Sequence, residues 1–269
     1  MFNTSLTTRE QPSKWNIFLV SAMLHLLKRH PIPISAFFRH SVVLTYAFPP
    51  EVLKPLLPPT LVLDTWHNFA FLAVALVQTE SLRPSFLPAA LGRNFFLSGY
   101  RIFTRLAAGT QSRRGLMILR SDTDHPWMVR FGNLLTHYNY RLCEANLGET
   151  NDELHWTIRT PRAEGDLEVK VCLDSHQAPM LANSPFRNRS EARRFAGPLP
   201  YTFDYERESN SIIGICASRQ DWNPEPVSVN VVRNTFLGQQ PFRAAQPILA
   251  NAFHVQNVPY RWQRGRRLS

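Results

Sequence analysis

Residues 41–78 read SVVLTYAFPPEVLKPLLPPTLVLDTWHNFAFLAVALVQ. The β-branched and aromatic run Ser41–Phe48 predicts a strand. Pro49 and Pro50 then open a short helix over Glu51–Leu57, and Pro58 and Pro59 stop it. Proline suits a first helical turn but cannot continue one. Leu61–Trp66 and Phe69–Gln78 predict a strand pair across a tight connection at His67-Asn68.

Upstream lies Trp15–Leu27, mostly apolar and flanked by Lys14 and by Lys28-Arg29-His30. As a helix it would span about 20 Å, short of a bilayer core near ~30 Å. A basic cluster stands where a signal peptide would need small residues for cleavage. The segment is expected to pack on the body of the protein or on a second subunit, giving a homo-oligomer. The alternative is an interfacial helix with its end cations on anionic lipid, a weak membrane contact. Pro31 and Pro33 close it, so the expected organisation is a tail and helix over residues 1–30 and one domain over 31–269.

Downstream, Phe95–Leu106 and Gly115–Arg120 predict strands, and Asp124 is placed to cap a helix running from Pro126 to about Leu135. Tyr138–Ala145 and Leu154–Thr160 flank a GETND turn, and Asp166–Asp174 alternates with Leu167, Val169, Val171 and Leu173 on one face. Ser190 is expected to cap a short helix, EARRFAG. Further strands are expected around Tyr201–Glu206, Ile212–Ala217, Val227–Val232 and Phe253–Trp262. Many short strands with brief helices predict a β-rich α+β barrel or sandwich.

Composition narrows the function classes. The chain of 269 residues has a net charge of +10, and its two basic blocks are residues 81–121, with seven Arg and no acid, and the tail 261–269. The tail, Arg261, Arg264, Arg266 and Arg267, attracts phosphate without selecting a sequence. No nucleic-acid motif accompanies it, so a solvated, frayed end is expected and no specific nucleic-acid partner. No two of the 11 glycines lie closer than six positions, which excludes the dinucleotide, phosphate-loop and nucleophile-elbow motifs. Cys143, Cys172 and Cys216 are widely spaced and odd in number, so reduced thiols and a cytoplasmic setting are expected. The nine histidines form no metal motif; neither a metal nor a cofactor is expected.

The order of segments from residue 42 to 141 resembles domain-of-unknown-function family 2071. YAFPPEVLKPLLPPTLVLD, a strand pair and LRPSFLP match that family's opening. LSGYRIFT stands for its E-L-N-x-R-T-Y-V strand, with Arg101 at the arginine. GLMILRSD and VRFGNLLTHY follow, with Arg130 at the second arginine. The resemblance implies the fold of acetoacetate decarboxylase, a closed antiparallel barrel around a small-molecule pocket, here with short inserted helices and an N-terminal helix.

That decarboxylase ends the same helix with R-x-x-x-x-x-P-K-K, and its first lysine forms an imine with the keto acid. Counted from Arg130, the lysine positions fall on His137 and Tyr138. The four lysines, Lys14, Lys28, Lys54 and Lys170, lie elsewhere. The family's strand glutamate is replaced by Leu97 and its asparagine by Gly99. Schiff-base chemistry is therefore not expected. Arg101 and Arg130 remain as candidates for binding a ligand carboxylate, Arg101 by a bidentate contact. His137 and Tyr138 remain as a candidate acid–base pair for a lyase or hydrolase. The expected function is binding of a small, carboxylate-bearing organic molecule. Catalysis by His137 and Tyr138 with Arg101 as anion anchor is one alternative, and a peripheral membrane protein acting through residues 15–30 is the other.

Overall fold

The computed structural model describes residues 25–108, 111–174, 178, 181 and 183–268. Most of the apolar segment Trp15–Leu27, and with it the expected oligomer or membrane contact, lies outside the described residues. No helix among the described residues is long and apolar enough to cross a membrane.

The main sheet is built on five long strands: β1 (Ile34–Phe48), β3 (Ala70–Pro84), β4 (Arg93–Ala108), β5 (Gln111–Thr123) and β14 (Ile248–Trp262). With β10 (Tyr201–Glu206) and β11 (Ser211–Arg219), their ladder runs β14-β1-β3-β4-β5-β10-β11 and returns to β14 through Ala217↔Trp262 and Arg219↔Tyr260. Most pairings are antiparallel, as expected, but β10 runs parallel to β5, and so does the short β6 (Tyr140–Leu142). The chain leaves β5, builds a second sheet and comes back, and so long a crossover permits a parallel return.

That second sheet orders β13 (Ser228–Asn234), β9 (Leu167–Cys172), β8 (Glu153–Arg159) and β7 (Glu144–Glu149). Its Leu154, Trp156, Val169 and Val171 bury against Leu72, Val74, Phe96 and Ile102 of the main sheet. Period-two alternation assigns the other face of the same main strands to a different environment. On β3, Leu72, Val74 and Leu76 face the second sheet, while Phe71, Ala73, Ala75 and Val77 face away from it. Both faces are buried over Ala70–Val77, so that half of β3 reads as an unbroken apolar run.

Several local expectations are corrected. β2 (Leu61–Leu63) pairs with β4, not β3; only the bridge Trp66↔Phe69 joins the turn, with His67 and Asn68 at positive φ. The helix after β5, called α2 (Pro126–Leu135; α1 is Pro50–Leu53), starts after His125 without a side-chain cap. Asp124 instead accepts the Phe96 backbone N–H at 2.9 Å, which ties β4 to the helix entry. In α3 (Arg189–Ala196) the cap is Asn188, accepting from the Glu191 N–H, rather than Ser190.

The basic blocks are also used differently from expectation. The tail is not frayed: β15 (Arg266–Arg267) pairs with β11, and Gly265 donates to the His30 carbonyl. A Cβ on Gly265 would stand 2.1 Å from the Arg29 carbonyl oxygen, so only glycine permits that approach. Among the arginines of residues 81–121, Arg105 and Arg114 clamp the fully buried Asp64 at 2.6 and 2.5 Å. Arg120 grips Asp122 on the same strand, both buried.

A buried histidine pair of the main sheet, His40 on β1 and His254 on β14, reaches the second sheet through the exposed Glu149. Glu149 on β7 accepts from His40 Nε2 at 3.1 Å, and His40 Nδ1 lies 3.0 Å from His254 Nε2. With His40 neutral, its Nδ1 accepts from the His254 N–H. Burial, then the nearby His40, pushes the His254 pKa down to about 4. Between about pH 6.5 and pH 4 the unfolded chain holds a proton there that the folded chain does not. Stability should therefore rise with pH across that window, by up to about 3 kcal/mol. Urea unfolding at pH 4.5 and 7.5, with and without His254→Gln, measures this. The variant should flatten the slope, and an unchanged slope would rule His254 out as its source.

Candidate functional site

The face of β1, β3, β4 and β5 turned away from the second sheet encloses a cavity of about 460 Å³. It exists because that face carries small residues where a filled core would carry large ones: Ala73 and Ala75 on β3, Gly99 on β4. A Cβ on Gly99 would fall 2.7 Å from Arg101 Nε, so the guanidinium lies back over the glycine. Leu97, Arg101 and Phe103 follow β4's alternation into the cavity. α2 covers one side with Trp127 and Phe131, and its last carbonyl, on Leu135, accepts from the His30 N–H. The two rings stack at 5.5 Å, and both are more than half exposed.

Five polar side chains line the cavity and end in buried atoms without a hydrogen-bond partner among the described residues: His30 Nδ1, Arg101 Nε, His125 Nδ1, Tyr138 Oη and Trp222 Nε1. An unpaired buried polar atom costs free energy that a bound water or ligand group would relieve. The lining holds Arg83, Arg93, Arg101 and Arg219 but no Asp, Glu or Lys. Arg83 is spent on the Ser81 and Leu87 carbonyls, and Arg219 on the Leu199 carbonyl and the faces of Trp222 and Tyr260. Neither Arg93 nor Arg101 has such an engagement among the described residues, but Arg93 is exposed while Arg101 keeps its Nε buried in a mostly apolar chamber.

The four residues singled out in the sequence fall into two pairs. Arg101 and Tyr138 both line the cavity. Tyr138 is 5% exposed, and burial, reinforced by the charge of Asp204, pushes its phenol well above the usual tyrosine range despite Arg101 opposing the shift. Its hydroxyl is thus a donor and stays one at all ordinary pH. His137 and Arg130 are not in the lining. The His137 ring turns to Asp204, with Nδ1 at 3.1 Å from the carboxylate that also accepts the His137 backbone N–H at 2.9 Å. This contact fixes the corner from which Tyr138 points inward. Arg130 is exposed on α2, over the Trp127 ring.

His125 and Trp222 were not identified from the sequence. His125 sits directly before the helix-opening Pro126, a position that aims a side chain at the space the helix covers. Trp222 lies in an irregular segment after β11 and carries no sequence signal. The described residues contain no group of His, Cys, Asp or Glu able to hold a metal ion.

The model of domain-of-unknown-function family 2071, described as an uncharacterized conserved protein, matches residues 35–259. A search of curated proteins found no match. Among solved structures, acetoacetate decarboxylase from Legionella pneumophila is similar with a TM-score of 0.61 at 11% identity, over 89% of this chain and 88% of that one. The enduracididine biosynthesis enzyme MppR, complexed with pyruvate, is similar with a TM-score of 0.57 at 14% identity, over 89% and 91%. An acetoacetate decarboxylase-like enzyme from Sphingomonas wittichii RW1 gives 0.57 at 13% identity, over 90% and 95%. At these identities the likeness establishes a β-rich fold shared with acetoacetate decarboxylase-like proteins.

Proposed function

The chain belongs to domain-of-unknown-function family 2071, and within it we propose a protein that binds an organic carboxylate in its cavity without imine chemistry. We read residues 31–269 as one domain in which the ring of seven strands is the barrel of the decarboxylase fold, and the cell's reducing interior as its setting. The observation that carries the proposal is Arg101: a cation with its Nε buried and unpaired, in a lining free of carboxylates. A ligand carboxylate would supply the missing acceptor, and the Tyr138 hydroxyl would donate a second bond.

Imine formation needs a primary amine at the site. Tyr138 occupies one of the two lysine positions of the decarboxylase pattern, and none of the lining residues is a lysine. The phenol, held protonated, serves a carbonyl or carboxylate oxygen as donor rather than as nucleophile. His137, turned to Asp204, serves as a positioning residue for Tyr138 and not as the base of an acid–base pair.

Borohydride trapping tests the chemistry directly. Incubation with pyruvate or acetoacetate followed by borohydride should leave the intact mass unchanged. The same acids should perturb tryptophan fluorescence, because Trp127, Trp222 and Trp262 line the cavity. A reduced lysine adduct, or a fluorescence signal indifferent to every carboxylate, would overturn the proposal.

A further inference from the structure

We infer that the carboxylate this cavity takes is amphipathic: a monocarboxylic acid whose head meets Arg101 and whose apolar body, of about ten carbons, lies along β3 and β4 toward the aromatic face of α2. The inference rests on the carboxylate reading and adds the rest of the ligand. A three-carbon acid would leave most of about 460 Å³ unfilled, whereas chambers of ~300–1,000 Å³ match ligands of drug size.

The distribution of polarity along the chamber sets the ligand's shape. The cross-strand rungs are Ala73 beside Arg101, Ala75 beside Gly99 and Val77 beside Leu97. The first two are cut back to the smallest side chains and hold the guanidinium. From there the lining runs through the apolar Leu97 and Phe95, with the His125 ring against Phe95. Leu97 stands where the family pattern has glutamate, and Phe95 lies six residue steps of strand from Arg101, about 20 Å at about 3.3 Å per step. An extended alkyl chain of about ten carbons fits within that length, which exceeds any small keto acid.

The far side explains how such a body could enter. Trp127 and Phe131 line the cavity yet are 57% and 51% exposed. Large aromatics left that open beside a chamber form an apolar threshold. Their stacked rings can cover the tail of a bound chain at little cost in side-chain order.

Straight-chain acids from butyrate to decanoate, with decanol as the uncharged partner, titrated by tryptophan fluorescence, test the inference. Affinity should tighten about threefold per added methylene until the chamber is full. Decanol should bind at least about 30-fold more weakly than decanoate. Ala75→Phe, which fills the chamber beside Gly99, should move the limit to shorter acids while thermal melting confirms the fold. If butyrate binds as tightly as decanoate, still through Arg101, the amphipathic inference falls and the carboxylate reading stands. If decanol matches decanoate, or if no acid of any length binds, the carboxylate reading itself fails. If Ala75→Phe leaves the length limit unchanged, the tail does not lie along β3 and the inference falls.

Discussion

Replacing Arg101 with methionine is expected to weaken carboxylate binding by at least about 100-fold, on the order of 3 kcal/mol, while leaving the melting temperature unchanged or higher. The two halves of that result follow from one fact. Arg101 has no ion pair or hydrogen bond among the described residues, and its Nε is buried. A charge held in a chamber without a partner contributes nothing to the folded state and is desolvated there. Methionine keeps the unbranched stem and removes the charged guanidinium that lies over Gly99. An arginine with a structural role would give the opposite pattern, a lower melting temperature with binding intact. Tyr138→Phe should show the smaller effect of one lost hydrogen bond, about 10-fold, and no change in slope with pH below 9.

Replacing Asp122 with alanine is expected to destabilise the protein by about 3–5 kcal/mol. For a chain this size that lowers the melting temperature by roughly 6–15 °C. Asp122 and Arg120 lie two residues apart on one face of β5, only 1% and 3% exposed, with the guanidinium nitrogens at 2.7–3.0 Å from the carboxylate. Ser98 adds a hydroxyl donor. Removing the acid strands a buried cation, which costs far more than the pair itself contributes. Differential scanning calorimetry at pH 7 reads the change. An effect below about 1 kcal/mol would mean that Arg120 finds a new partner in Glu164, which already lies 3.5 Å from it. Asp64→Ala is expected to cost less, because both arginines that clamp Asp64 keep access to water.

What the sequence makes legible here is local. β-branched alternation marks the strands, Pro126 marks the start of α2, and the order of motifs singles out Arg101, Arg130, His137 and Tyr138, of which Arg101 and Tyr138 line the cavity. What escapes it is contact between distant segments. β2 pairs with β4 rather than with its neighbour in the chain, and β10 meets β5 in parallel, because strand partners are chosen by sheet geometry and not by proximity in sequence. Asn188 and Ser190 are both competent caps two residues apart, and only the chain's entry angle selects between them. His137 stands at a matched motif position, yet Asp204, sixty-seven residues on, turns its ring away. The basic excess misleads for the same reason: Arg105 and Arg114 meet Asp64, and Arg113 meets the Tyr201 ring, all far off in sequence, whereas Arg101 brings a buried, unpaired Nε to the cavity.

The central claim is that a ligand carboxylate sits on Arg101 inside the cavity. It is tested most directly by nuclear magnetic resonance of decanoate labelled with carbon-13 at the carboxyl and bound to the full chain. The bound carboxyl should remain ionised well below the pH at which the free acid titrates, and should show through-space contacts to the Arg101 side chain and the Tyr138 ring. In Arg101→Met the depressed titration should vanish. A bound carboxyl that titrates like the free acid, with contacts only to Trp127 and Phe131 at the threshold, would contradict the claim.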